Sequence, residues 1–262
     1  MKNLSIIANW KLNGNKNTIT NSLINLTTQL TNIPQYIKIA IAPPILYIDM
    51  VKNHLTSYNN KTIELCSQNV DIHLSGAFTG DISASMLKDL SVKYVLIGHS
   101  ERRIYHKENN SLIAQKFSII KQTELIPILC IGENKEERDS GSTQSICIQQ
   151  IDSIIKLVGI KAFENTIIAY EPVWAIGSGS SASPRNVQSI HQFIRNYIAQ
   201  YDKTIANQIS IQYGGSITTD NVLEFITQKD IDGVLVGSAS LDIRNLIKII
   251  NLSSNLIKKT YQ

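Results

Sequence analysis

The chain has 262 residues, of which 43% are hydrophobic and 18% charged, and its formal net charge is +4. That length buries a large core without a disulfide or metal staple, and the balance excludes a disordered chain. No basic run points to nucleic acid, and no apolar run approaches the roughly 20 residues of a membrane span.

The first apolar stretch is short and is interrupted by Asn9 and Lys11, which argues against a signal peptide. The mild positive charge suits an anionic substrate, and it equally follows from lysine abundance throughout the chain. Three cysteines, Cys66, Cys130 and Cys147, form no close pair. They imply no disulfide framework and fit a reducing cytoplasm; Cys66 and Cys130 lie in apolar runs and are expected to be buried.

In chain order, short apolar runs recur at 4–8, 37–42, 62–67, 92–97, 125–130, 166–170, 208–213 and 231–236. Runs this continuous predict parallel strands covered on both faces. Helical spacing occupies 18–30, 112–121, 146–158 and 186–201; the last carries Val187, Ile190, Ile194, Tyr197 and Ile198 on one stripe. Eight strand–helix repeats without a compositional break predict one domain over 1–262, a single (β/α)8 barrel with a closed, parallel, eight-stranded sheet. The polar tail, 253–262, is expected to fray.

Barrel enzymes work at the C-terminal ends of their strands, so the residues just past each run are informative. The first run ends in Asn9-Trp10-Lys11, and a lysine there supplies a cation for an anion. The fourth ends in Gly98-His99-Ser100-Glu101-Arg102. There Ser100 starts a helical turn, and the positive peptide dipoles disfavour a charged His99, leaving it a neutral donor. His54, His73, His106 and His191 show no metal-ligand spacing. The sixth ends in Tyr170-Glu171-Pro172, followed by a loop with Gly177 and Gly179, which suggests a general base beside a movable lid. The last two end in Tyr213-Gly214-Gly215-Ser216 and Val236-Gly237-Ser238-Ala239, turns that expose backbone N–H groups to a phosphate. Together these residues suit proton abstraction beside the carbonyl of a small phosphorylated substrate.

Across nearly its whole length the chain resembles the triosephosphate isomerase family. The resemblance is carried by Asn9 to Gly14, Gly76 to Gly80, Gly98 to Arg103, Cys130 to Glu133, Tyr170 to Gly177 and Tyr213 to Ser216, in that order. It implies interconversion of dihydroxyacetone phosphate and D-glyceraldehyde 3-phosphate through an enediolate, in glycolysis and gluconeogenesis, without metal or organic cofactor. By the same resemblance Glu171 is the base, His99 the neutral electrophile and Lys11 the balancing cation, with Asn9 placing Lys11 and substrate. Backbone N–H groups of Gly177, Ser216, Gly237 and Ser238 would hold the phosphate. Glu101 would organise the site, and Ile176 and Leu235 would close over the base. By the same resemblance a homodimer is expected, in which the loop around Thr79 would insert near the partner subunit's Lys11 and His99.

The chain departs from the family pattern at three places. The far lid hinge reads Ser178-Gly179-Ser180-Ser181-Ala182, which bears on lid kinetics. Ser238 replaces a common glycine, which suits phosphate binding if no positive φ is needed there. Asp81 replaces a common glutamate and reaches less far toward Arg102 of the partner subunit. A metal-dependent phosphosugar epimerase would need His and Asp ligands at several strand ends, where only His99 stands. A barrel kept as a binding protein would not need Lys11, His99 and Glu171 together.

Overall fold

The computed structural model describes residues 3–30, 33–60, 62–175 and 182–261, of which 259–261 are described in backbone only. Eight strands, β1 (Leu4–Asn9), β2 (Ile37–Ala42), β3 (Ile63–Ser67), β4 (Val92–Ile97), β5 (Ile126–Ile131), β6 (Ile167–Tyr170), β7 (Ser210–Tyr213) and β8 (Gly233–Val236), pair in parallel in sequence order. The sheet closes where β1 meets β8, with Ser5 opposite Gly233 and Ala8 opposite Val236.

Strand alternation divides the core into two layers. On β1, Leu4, Ile6 and Ala8 face the helices, whereas Ile7 joins Ala40, Cys66, Leu96, Cys130, Ala169 and Leu235 inside the barrel. The inward series on β6 is Ile167 and Ala169, so the next residue in phase, Glu171, points into the barrel mouth. Asn9 succeeds Ile7 by the same rule, and Gly237 succeeds Leu235.

The helices are α1 (Lys16–Gln29), α2 (Ile48–Ser57), α3 (Ala84–Asp89), α4 (Ser100–Tyr105), α5 (Asn110–Gln122), α6 (Lys135–Asp139), α7 (Thr143–Val158), α8 (Pro184–Tyr201), α9 (Lys203–Gln208), α10 (Val222–Ile226) and α11 (Ile243–Tyr261). Local chemistry sets their starts. Asn15 caps α1 in a reciprocal box with Thr18. Ser183 caps α8, whose first residue is Pro184, and the buried stripe is Val187, His191, Ile194 and Ile198.

Sequence and structure differ at several ends. Gln208 closes α9 rather than opening a strand, because Asp202 caps that helix through the Thr204 and Ile205 amides. Asn60 turns the chain ahead of β3 by accepting from Thr62 and Ile63, which leaves Thr62 outside the strand. The tail expected to fray continues α11 to Tyr261. Ser253 is buried and donates to the Ile249 carbonyl at 2.8 Å, and Ile257 is buried too. All three cysteines are free and buried. Among the described residues no helix is long and apolar enough to cross a membrane.

Candidate active site

The mouth of the barrel holds a cavity of about 90 Å³, lined by Asn9, Lys11, His99, Glu171, Gly214, Gly215, Ser216, Ile217, Leu235, Gly237 and Ser238. The sequence singled out all of these except Ile217. Gly177 and Ile176, also expected at the site, lie outside the described residues, as do 178–181 of the far hinge.

Lys11 has φ +52, a left-handed conformation that costs a non-glycine residue on the order of 1 kcal/mol. Its surroundings hold it there. Its N–H donates to Asn9 Oδ1 at 3.0 Å, and Gln68 Nε2 donates to its carbonyl at 2.9 Å and to the Ala42 carbonyl at 2.8 Å. The ammonium pairs with Glu101 Oε1 at 2.6 Å. Its stem crosses Gly237, where a Cβ would sit 3.5 Å from Lys11 Cε. The cation therefore lies between the last glycine turn and the Glu101 carboxylate.

His99 is the N-cap of α4, and its Nδ1 accepts from the Glu101 amide at 3.3 Å. A ring whose Nδ1 accepts has Nε2 as its N–H donor. That nitrogen faces Glu171 Oε1 at 3.3 Å. The other oxygen, Oε2, accepts from the Ser100 amide at 3.2 Å. Glu171 is buried, and it sits against two glycines. A Cβ on Gly132 would stand 2.0 Å from the Glu171 carbonyl oxygen, and one on Gly214 would stand 2.7 Å from Glu171 Cγ. Cys130 lies on the inner layer of the barrel; burial, reinforced by the negative charge of Glu171, pushes its thiol well above the ordinary range.

The chain leaves the site along a turn at Val173–Ala175. Its root is Glu133, wholly buried, which accepts from Tyr170 Oη at 3.0 Å and Trp174 Nε1 at 3.0 Å. Ser216 Oγ donates to the Ala175 carbonyl at 2.8 Å, and the Ala182 amide, at the last position of the far hinge, donates to Tyr213 Oη at 3.3 Å. Ser238 begins a short 3-10 turn and is not among the residues with positive φ, so the serine in place of a common glycine is unstrained.

Two supports carry little or no signal in the pattern of runs and motifs. Gln68 comes directly after β3, where inspection of every strand end would find it. Gln150, in the middle of α7, brackets Gly132 by accepting from its N–H at 2.8 Å and donating to its carbonyl at 3.1 Å, and no local pattern marks it.

The arrangement places an imidazole and a carboxylate side by side in one small cavity, 3.3 Å apart. A cation, Lys11, and the two glycine turns after β7 and β8 line the same cavity. Residues 4–253 match the family model described as triosephosphate isomerase. The triosephosphate isomerase of Blochmanniella pennsylvanica is 61% identical over 261 residues, covering 100% of this chain and 99% of that protein. Those of Baumannia cicadellinicola and Buchnera aphidicola are 52% identical over 241 residues and 49% over 257, covering 92% and 98% of this chain and 93% and 100% of theirs.

Proposed function

The chain belongs to the triosephosphate isomerase family, and from that premise we propose that it interconverts dihydroxyacetone phosphate and D-glyceraldehyde 3-phosphate through an enediolate, with Glu171 as base and His99 as neutral electrophile. The protein is an isomerase. The observation that carries the assignment of roles is the 3.3 Å approach of His99 Nε2 to Glu171 Oε1, with the imidazole tautomer fixed by the Glu101 amide.

The reaction moves a proton between two adjacent carbons, so it needs one base and a donor to the neighbouring oxygens. Glu171 engages both carboxylate oxygens, one with His99 and one with Ser100. Substrate entering the cavity takes the His99 N–H onto its oxygen, and Glu171 turns to the carbon-bound proton. A neutral imidazole is suited to that donation because the hydrogen bond from its N–H strengthens as negative charge develops on the enediolate oxygen. Lys11 balances the substrate phosphate and the developing negative charge, and Glu101, its partner, holds it near the turn at Gly237. The amides of Ser216, Gly237 and Ser238 bind the phosphate, joined by Gly177. Leu235 lines the cavity, and with Ile176 it keeps water from the base.

The reading extends to the whole chain as one catalytic domain over 1–262, working as a cytoplasmic homodimer. Support for the dimer is apolar exposure on the loops after three neighbouring strands. Leu12, Leu46 and Phe78 are 94%, 85% and 41% exposed, and Gln68 ties those strand ends together. Free, buried cysteines suit a reducing compartment.

The test is steady-state isomerisation by wild type and Glu171→Asp, with and without EDTA. Turnover unaffected by EDTA that falls about 10²-fold or more in the variant supports the assigned base and a metal-free reaction. Folded wild type without turnover would overturn the reading.

A further inference from the structure

Arg103 lies on α4, one turn beyond His99, and its guanidinium folds back beneath the turn that carries that histidine. Nε donates to the Gly98 carbonyl at 2.7 Å, Nη2 to the Cys130 carbonyl at 3.0 Å and Nη1 to Asn110 Oδ1 at 2.7 Å. The three acceptors belong to three places: the end of β4, the inner end of β5 and the first turn of α5. A planar fork reaches all three at once, whereas the point charge of an ammonium does not. Gly98 makes room for it, since a Cβ there would stand 2.9 Å from Arg103 Nη2.

Two of these acceptors lead directly to the reacting groups. The Gly98 carbonyl is part of the peptide that enters His99, so fixing it sets the direction in which the histidine leaves the strand. Cys130 precedes Ile131, whose carbonyl accepts from the Glu171 amide at 2.7 Å. The same guanidinium thus grips the backbone beside the electrophile and the backbone beside the base. All three acceptors are neutral, and Glu171 is among the negative groups that feel the guanidinium charge. Arg103 does not line the cavity and has no route to substrate.

We infer that Arg103 is a positioning residue for isomerisation, clamping the ends of β4 and β5 so that His99 and Glu171 keep the separation and angle that proton transfer requires. The inference rests on the isomerase reading above. It predicts a loss in kcat with substrate binding spared, because the phosphate turns come after β7 and β8 on another part of the mouth.

Arg103→Lys and Asn110→Ala are compared with wild type for kcat, KM and competitive inhibition by inorganic phosphate, with folding monitored by circular dichroism. Asn110→Ala removes only the outermost acceptor and serves where Arg103→Lys does not fold. The expected result is a kcat about 10- to 100-fold lower in Arg103→Lys and a few-fold lower in Asn110→Ala, with KM and phosphate inhibition within about twofold of wild type. Unchanged kcat in folded Arg103→Lys overturns the inference. So does unchanged kcat in Asn110→Ala where Arg103→Lys does not fold, or a loss of phosphate inhibition that matches the loss in kcat. Wild type and Glu171→Asp are assayed alongside. An inactive wild type removes the isomerase reading itself, whereas active wild type, impaired Glu171→Asp and unimpaired Arg103→Lys remove only the clamp.

Discussion

Trp174 Nε1 donates to Glu133 Oε1 at 3.0 Å, and this bond roots the loop after the base in a carboxylate with no solvent exposure. Tyr170 donates to the same carboxylate, and the Arg138 guanidinium lies 4.1 Å above the Trp174 ring. Removing the acceptor strands the buried Tyr170 hydroxyl and the half-buried Trp174 N–H. Glu133→Ala is expected to lose about 2–4 kcal/mol of stability. Urea unfolding measures it, and a midpoint equal to wild type would show that the carboxylate anchors nothing.

Gly214→Ala separates stability from catalysis. The added methyl meets Glu171 Cγ, the movable part of a side chain, so the fold yields cheaply while the base is displaced. The expected outcome is a melting temperature near wild type with kcat reduced about 10- to 100-fold. A fully active variant would mean that Glu171 has slack at that position.

Glu108 accepts from Arg102 Nε and Lys116 Nζ, each at 2.6 Å, in a buried setting. Burial pushes its carboxyl up, but the bonds from Lys116 and Arg102 outweigh this and hold it below its ordinary value of 4.5. A carboxyl depressed by folding contributes stability that is complete above about pH 4.5 and is lost as pH falls through the folded value. Between about pH 5 and 3 wild type should therefore lose more stability than Glu108→Gln, read from urea midpoints at each pH. Parallel losses would assign acid sensitivity to other groups.

The three thiols are buried, and burial raises each of them above the ordinary thiol range. Native protein at about pH 8 should resist iodoacetamide, and unfolded protein should take up three labels, one for each of the three cysteines, counted by mass spectrometry. Rapid labelling of Cys130 in native protein would reveal access to the inner face of the base.

The strand runs and the strand-end residues are legible because period and position are local properties. Ile167, Ala169 and Glu171 share one parity, and that alone aims the base inward. The supports are not legible in the same way. Gln150 meets Gly132, and Arg103 meets Cys130, only after β5 has been placed beside β4 and α7 has packed outside it. The ordered tail escapes a local reading for a related reason. Ser253 and Ser254 look solvated in sequence but are buried against the barrel.

Closure of the sheet by β1 and β8 has a consequence for synthesis. Ser5 is made well before its partner Gly233, with the six other strands of the barrel synthesised in between. Until the eighth strand is free of the exit tunnel, the nascent chain carries an open sheet with two unpaired edges, which is the form most exposed to misassembly with neighbouring chains. The window ends only when β8 is free to pair, so chaperone dependence should track the time spent making the chain between β1 and β8 rather than the stability of the finished barrel.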